Sequence, residues 1–214
     1  MVPRLLCNCR KFGGVAGAER TETAEDDLSD HELMRFIADR WGKAIWTACR
    51  SSSVPPEFMA ALIANESSAD AEKKQFREEV YERLICVRGG KNFHSLSVTP
   101  QQLRAMNEDQ MVELATAWGL TQVMGYHVLG NGSLPRHLLV PEYNLISALQ
   151  RLAVFSEQCG IDLRAEFEDL FRCWAAGRPD GTPADRAYVE TGMRRLGLYR
   201  EIVWNEFAPL EAAA

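Results

Sequence analysis

Residues 55–68 read Pro-Pro-Glu-Phe-Met-Ala-Ala-Leu-Ile-Ala-Asn-Glu-Ser-Ser. Two prolines open the run, and proline in the first turn of a helix sacrifices no hydrogen bond. The remainder is almost entirely apolar, and a helix of that kind has to be covered by the rest of the chain. Met59, Leu62, Ile63 and Glu66 fall on one face, at i, i+3, i+4 and i+7. Glu66 therefore closes an apolar stripe at the helix C-terminus. A carboxylate there loses water and meets the negative end of the helix dipole, and both effects favour its protonated form. A carboxylic acid that keeps its proton near neutral pH is what general-acid chemistry asks for, glycosidic cleavage included. Taken alone, such a glutamate reads as a surface residue at a helix end. The later stretches give it its weight.

The 214 residues suit one domain with a tail, and a 46% apolar content supports a sizeable core. A net charge of −6 speaks against a nucleic-acid binder, which usually presents a basic face. No apolar run approaches a membrane span. The N-terminal run Leu5-Leu6-Cys7 is too short, and too soon broken by Asn8, Arg10 and Lys11, to serve as a signal peptide. The six cysteines are Cys7, Cys9, Cys49, Cys86, Cys159 and Cys173. Of these, Cys49, Cys159 and Cys173 lie in apolar-periodic segments and read as buried free thiols. Cys7-Asn8-Cys9 has no second ligand pair, so no metal site or cofactor is expected.

Residues 1–27 are expected to be a loose tail and residues 28–214 a folded domain. Ser29 and Glu32 form a capping-box pattern before a helix spaced by Leu33, Phe36, Ile37, Trp41, Ile45 and Trp46. Lys73 to Cys86 reads as a charged helix burying Phe76, Val80, Tyr81 and Leu84, and Phe93 to Val98 as a short extended piece. Thr99-Pro100 starts a further helix. Asn107 or Asp109 restarts one carrying Met111, Leu114, Ala115 and Trp118. Glu142 to Cys159 reads as a long amphipathic helix stopped by Gly160. Asp162 caps a helix reaching Trp174, and Ala184 to Trp204 is the last. The class is mainly α with at most a very small sheet.

Three ordered elements carry a resemblance. Pro55-Pro56 and the helix ending Asn65-Glu66-Ser67-Ser68 resemble the catalytic Glu-Ser element of bacterial lytic transglycosylases. Trp118-Gly119-Leu120-Thr121-Gln122-Val123-Met124 is similar to their Gly-Leu-Met-Gln-Ile-Met element. Cys173-Trp174-Ala175-Ala176-Gly177 stands where they carry Ala-Tyr-Asn-Ala-Gly. The likeness runs from Val54 to Tyr199 and is nearest to phage and prophage muramidases. It implies a lysozyme-like fold, peptidoglycan glycan strands as substrate, and a monomer made in the cytoplasm that acts at the cell wall after release or export. It also implies Glu66 as the acid that protonates the leaving oxygen of the MurNAc–GlcNAc β-1,4 bond. The sequence departs from the pattern in three places. No glycine follows Ser68, Trp174-Ala175 replaces Tyr-Asn, and Arg77 stands where a glutamate is expected.

The resemblance gives Ser67 a hydrogen bond to Glu66 or substrate, against the plain reading of a helix-end hydroxyl. Gln122 would bind an N-acetyl group or orient Glu66, or else hold a loop as a buried amide. Met124 and Tyr126 would line a sugar subsite, with a core position the rival for Met124. Trp174 would stack on a sugar or fill the core. His127 reads as a satisfied helix histidine. Asp70, Glu72, Glu78 and Glu79 are the nearest candidates for a second carboxylate, and each reads as solvated surface. The same activity has two alternatives. One is a catalytically inactive peptidoglycan-binding or structural protein. The other takes Leu114 to Val128 as a DNA-binding helix-turn-helix, although Gln122 and His127 are its only base-reading side chains.

Overall fold

The computed structural model describes residues 29–91 and 98–211. The expected tail at residues 1–27, the Cys7–Cys9 pair and most of the Phe93–Val98 stretch lie outside them. Eight α-helices and one small sheet make up the described chain: α1 (Asp30–Cys49), α2 (Pro56–Ser67), β1 (Lys74–Phe76), α3 (Glu78–Arg88), α4 (Pro100–Arg104), α5 (Glu108–Leu114), β2 (Thr116–Trp118), β3 (Val123–Met124), α6 (Pro141–Cys159), α7 (Phe167–Ala176) and α8 (Tyr188–Glu211). Two 3-10 turns, Gly125–Val128 and Pro135–Leu139, lead into α6. The class is mainly helical with a very small sheet, as the periodicities predict.

Helix α2 is the centre of the main core. Phe58, Met59, Ala60, Ala61, Leu62 and Ile63 are fully buried, so the helix is covered on every side by α1 and α8 and their neighbours. Asp30 on α1 bonds Arg194 and Arg195 of α8, and Arg200 bonds Glu57 of α2. These ion pairs fix the long last helix over the central one. A second, smaller core gathers Leu84, Val87, Leu103, Met111, Leu114 and Tyr126 from α3, α4, α5 and the first 3-10 turn. The sheet runs β1-β2-β3, all antiparallel, with Lys74 opposite Trp118 and Trp118 opposite Val123. It lies between the two cores.

The hairpin turn between β2 and β3 is held from α6. Asn144 is fully buried; its Nδ2 donates to Trp118 O and Leu138 O at 2.8 and 2.9 Å. Its Oδ1 accepts from the Thr121 amide at 2.9 Å and the Thr121 hydroxyl at 2.6 Å. Gly119, at φ +71, allows this approach: a Cβ there would stand 2.3 Å from Leu138 O.

The capping box at Ser29–Glu32 forms as expected, Thr99 caps α4 and adds a capping box with Gln102, and Asn107 rather than Asp109 starts α5. Gly160 ends α6 in the left-handed conformation. Several expectations need correction. Lys73 to Cys86 is not one helix, because residues 74–76 pair with β2 as an edge strand before α3 begins. Phe76 is consequently 47% exposed instead of buried. Trp118 belongs to β2, since α5 ends at Leu114 and the Ala115 carbonyl accepts from the Arg77 amide. Phe36 and Trp46 lie off the buried stripe of α1, which is Leu33, Met34, Ile37, Ile45 and Cys49. Asp162 organises a turn, accepting from the Arg164 amide, and α7 begins only at Phe167. The last helix starts at Tyr188 and runs to Glu211. Cys49 and Cys173 are buried free thiols, but Cys159, at the end of α6, is exposed. Residues 114–128 hold a helix end, a β-hairpin and a 3-10 turn, so no second helix exists there to enter a DNA groove.

Candidate functional site

Glu66 sits in the last turn of α2, next to a helix end that several groups close. The Lys73 ammonium donates to the Glu66 backbone oxygen at 2.7 Å and so neutralises the carbonyl end of α2. Ser68 and Ala69 come next at φ +52 and +72 without a glycine. The Tyr188 hydroxyl, from the first residue of α8, donates to Glu66 Oε1. Asn65 braces the same junction. Its Nδ2 donates to Tyr188 O and its Oδ1 accepts from Arg195, both at 3.0 Å.

The Glu66 carboxyl is raised above the usual glutamate range. Burial is the largest cause. The Tyr188 hydrogen bond and the charges of Arg77 and Lys73 oppose it without cancelling it. Desolvation thus acts as the apolar stripe predicts, whereas the bare helix end is occupied by Lys73. Burial and the neighbouring Glu66 push the Tyr188 phenol well above its ordinary value, so it remains a proton donor in the hydrogen bond.

Gln122 closes the hairpin turn at φ +53 and is buried. Its Nε2 donates to Gly119 O at 2.9 Å and to Lys73 O at 3.1 Å. With two carbonyls facing the nitrogen, the amide orientation is fixed, and Oε1 has no hydrogen-bond partner among the described residues. Lys73 therefore links the two residues: its ammonium reaches the backbone of Glu66 and its carbonyl receives the side chain of Gln122.

A cavity of about 910 Å³ opens between the two cores. Gln122, Met124, Tyr126 and Trp174, all singled out by sequence, line it together, along with His127. Met124 also packs on the smaller core and Trp174 on the main one, so the core position weighed for each is occupied while the side chain still reaches the cavity wall. Ala175 lines the cavity without a hydrogen-bonding side chain. Glu66 is not among the lining residues, and neither is Ser67. The Ser67 hydroxyl is buried and donates back to Ile63 O at 3.2 Å, the helix-end arrangement. Of the four nearby carboxylates, Glu79 reaches the cavity wall, while Asp70 caps its own turn through the Glu72 amide. Burial, and next the charge of Arg151, lower His127 to about 3, so its ring is neutral at neutral pH.

Three residues at these places escape a reading by sequence. Tyr188 looks like one aromatic in a helical stripe. Its signal is a polar aromatic in the first turn after the dense Gly-Pro-Asp loop of residues 177–183. Lys73 sits in a charged run. Arg151 is hidden within an amphipathic helix, yet it falls on the face of Ser147 and Phe155, where a cation is out of place. Among the described residues, no group of three or more His, Cys, Asp or Glu is placed to hold a metal ion. No helix of the described chain is long and apolar enough to cross a membrane. Comparisons with protein-family models, curated proteins and solved structures find no match.

Proposed function

We propose that the chain cleaves the MurNAc–GlcNAc β-1,4 bond of peptidoglycan, as a lytic transglycosylase or muramidase of lysozyme-like fold. The observation that carries the reading is Glu66: a carboxyl whose protonated form is favoured by burial at the end of the central helix and which accepts from the Tyr188 hydroxyl. A buried acid of this kind delivers a proton to a leaving glycosidic oxygen. In the transglycosylase variant the same carboxylate then accepts the proton of the sugar's own C6 hydroxyl, and a 1,6-anhydro end forms without water. In the hydrolase variant a second carboxylate activates water. Gln122 stands on the cavity wall with its Oε1 buried and without a hydrogen-bond partner among the described residues, so its part in the reading is to hold the hairpin turn through Gly119 O and Lys73 O. Trp174 and Tyr126 offer aromatic faces to sugar rings.

Turbidity loss of a cell-wall suspension tests the reading. The wild type should lyse it, and Glu66→Gln should be slower by at least ~10²–10⁴-fold, the usual contribution of general acid–base catalysis. Circular dichroism should show the same fold for both. An equally active Glu66→Gln variant would end the single-acid mechanism. The specific observation favouring a binding-only protein is Ala175, which leaves the cavity wall without the family's amide. A folded wild type that binds cell walls and never lyses them selects that alternative. Mass spectrometry of the released muropeptides separates the anhydro product from the hydrolytic one.

A further inference from the structure

The cavity carries more positive charge than an uncharged glycan needs. Arg83 of α3 and Arg151 of α6 both line it, from opposite sides of the boundary between the two cores. Both charges act on Tyr126, and that of Arg151 also acts on His127, two residues of the same wall. Arg151 is half-buried, with its guanidinium carbon 4.2 Å from the centre of the Phe155 ring. Among the described residues neither arginine has a carboxylate within ion-pair distance. Glu79, one turn from Arg83, is the single acidic side chain on the wall, and His127 is neutral at neutral pH. Two cations against one anion leave the wall with a net positive charge.

Arginine pairs lacking a protein carboxylate suit a ligand that brings its own. In a β-1,4 glycan of N-acetylated sugars the ring hydroxyls and acetamides are uncharged. In a peptide-bearing strand the lactyl carboxyl is taken up in the amide to the stem, so the negative charge sits on the stem carboxylates; only a denuded strand carries a free lactyl carboxylate. The amide side chains of Gln150 and Gln158 on the same wall match peptide groups, and the volume is ample for several residues of chain. We propose that the part of this cavity lined by Arg83, Gln150, Arg151 and Gln158 is a subsite for the peptide stem, beside the aromatic wall offered to the sugars, with Arg83 and Arg151 receiving a stem carboxylate. The assignment rests on the proposed peptidoglycan activity. It makes the preferred substrate a peptide-bearing strand instead of a denuded one.

The test is calorimetric titration of the full chain with three soluble probes: N-acetylmuramyl-L-Ala-D-Glu, the same compound with both carboxylates amidated, and N-acetylmuramic acid. The charged muramyl peptide should bind, and amidation should weaken it about tenfold or more, the scale of a lost hydrogen bond to a charged group. Arg83→Gln should weaken the charged probe by a similar factor and leave the amidated one unchanged. Arg151→Gln should do the same, and if circular dichroism shows it unfolded, the exposed Arg83 decides alone. Binding of N-acetylmuramic acid as tight as the peptide would move the site to the lactyl carboxylate and overturn the stem assignment. No binding of the charged peptide, or equal binding of charged and amidated forms, overturns the subsite. Lysis of cell walls is measured in parallel. Charge-dependent binding without lysis removes the cleavage reading alone, and lysis without charge-dependent binding removes the subsite alone.

Discussion

Glu66 stands between opposing influences on its proton, and two of them can be removed one at a time. Burial raises the carboxyl; Tyr188 and Arg77 lower it. In Arg77→Gln a stabilising charge is lost, the ionised form is less favoured, and the carboxyl titrates at higher pH. A general acid that holds its proton longer stays active longer, so the alkaline limb of the kcat/KM profile should move to higher pH with kcat little changed. In Tyr188→Phe the limb should move in the same direction, but the carboxyl also loses the group that orients it. There kcat should fall by roughly 10²-fold, the size of a misplaced catalytic group. Paired pH–rate profiles distinguish the two; a limb moving to lower pH in either variant contradicts this account of the carboxyl. Arg77 stands where the resemblance to lytic transglycosylases would put a glutamate. Its charge now acts on the proposed acid, which makes the departure measurable.

At the scale of elements, the hairpin turn and the end of α2 are the two joints that place the candidate side chains. Asn144 holds the first with four hydrogen bonds from a fully buried position. Asn144→Ala removes the side-chain partner of the Thr121 amide and of the Leu138 carbonyl, at ~1–3 kcal/mol for each buried group left unpaired. Urea denaturation should show a loss of about the sum of the two, with Gln122 displaced from Lys73. The second joint carries backbone strain. Ser68 is exposed and holds φ +52, a conformation that disfavours a non-glycine residue by ~1–2 kcal/mol. Ser68→Gly relieves it, and the greater freedom of glycine in the unfolded chain takes part of the gain back. Thermal melts should show a net rise of roughly 0.5–1 kcal/mol in stability. A fall would mean that the serine hydroxyl matters more than its backbone.

For the whole molecule, what could be read in the chain was what local chemistry controls. The covered helix α2, the capping box at Ser29, the Thr99 cap, the Gly160 stop and the mainly helical class come from periodicity and caps. The edge strand at Lys74–Phe76 and the exposure of Phe76 did not, because the strand exists only through pairing with Thr116–Trp118, far along the chain. Motif order put Gln122, Met124 and Trp174 in one groove with Glu66; those three and Tyr126 do share a cavity wall, but Glu66 and Ser67 stand off it, because the end of α2 is closed by Lys73 and Tyr188. Tyr188 and Arg151 were not legible, since only tertiary packing brings them to Glu66 and to the cavity. The same burial that makes the site sets the pH dependence of the fold, from opposite sides. Glu66 is raised above 4.5, so its native form binds more protons than the unfolded chain above that pH. The stability it contributes is complete below 4.5 and is lost as pH rises through its folded value. His127 is depressed from 6.5 to about 3, so its contribution is complete above 6.5 and is lost as pH falls toward 3. Wild-type stability should therefore decline on both sides. Glu66→Gln keeps the acceptor for Tyr188 but cannot ionise. Its stability relative to wild type should grow as pH rises above 4.5 and level off once Glu66 is charged. His127→Gln should flatten the acid limb and leave the alkaline one as it was. Urea midpoints from about pH 4 to about pH 8 on the three proteins measure both effects. A stability difference between Glu66→Gln and wild type that stays constant over that range would mean that Glu66 is not desolvated, and the general acid would have to be sought elsewhere.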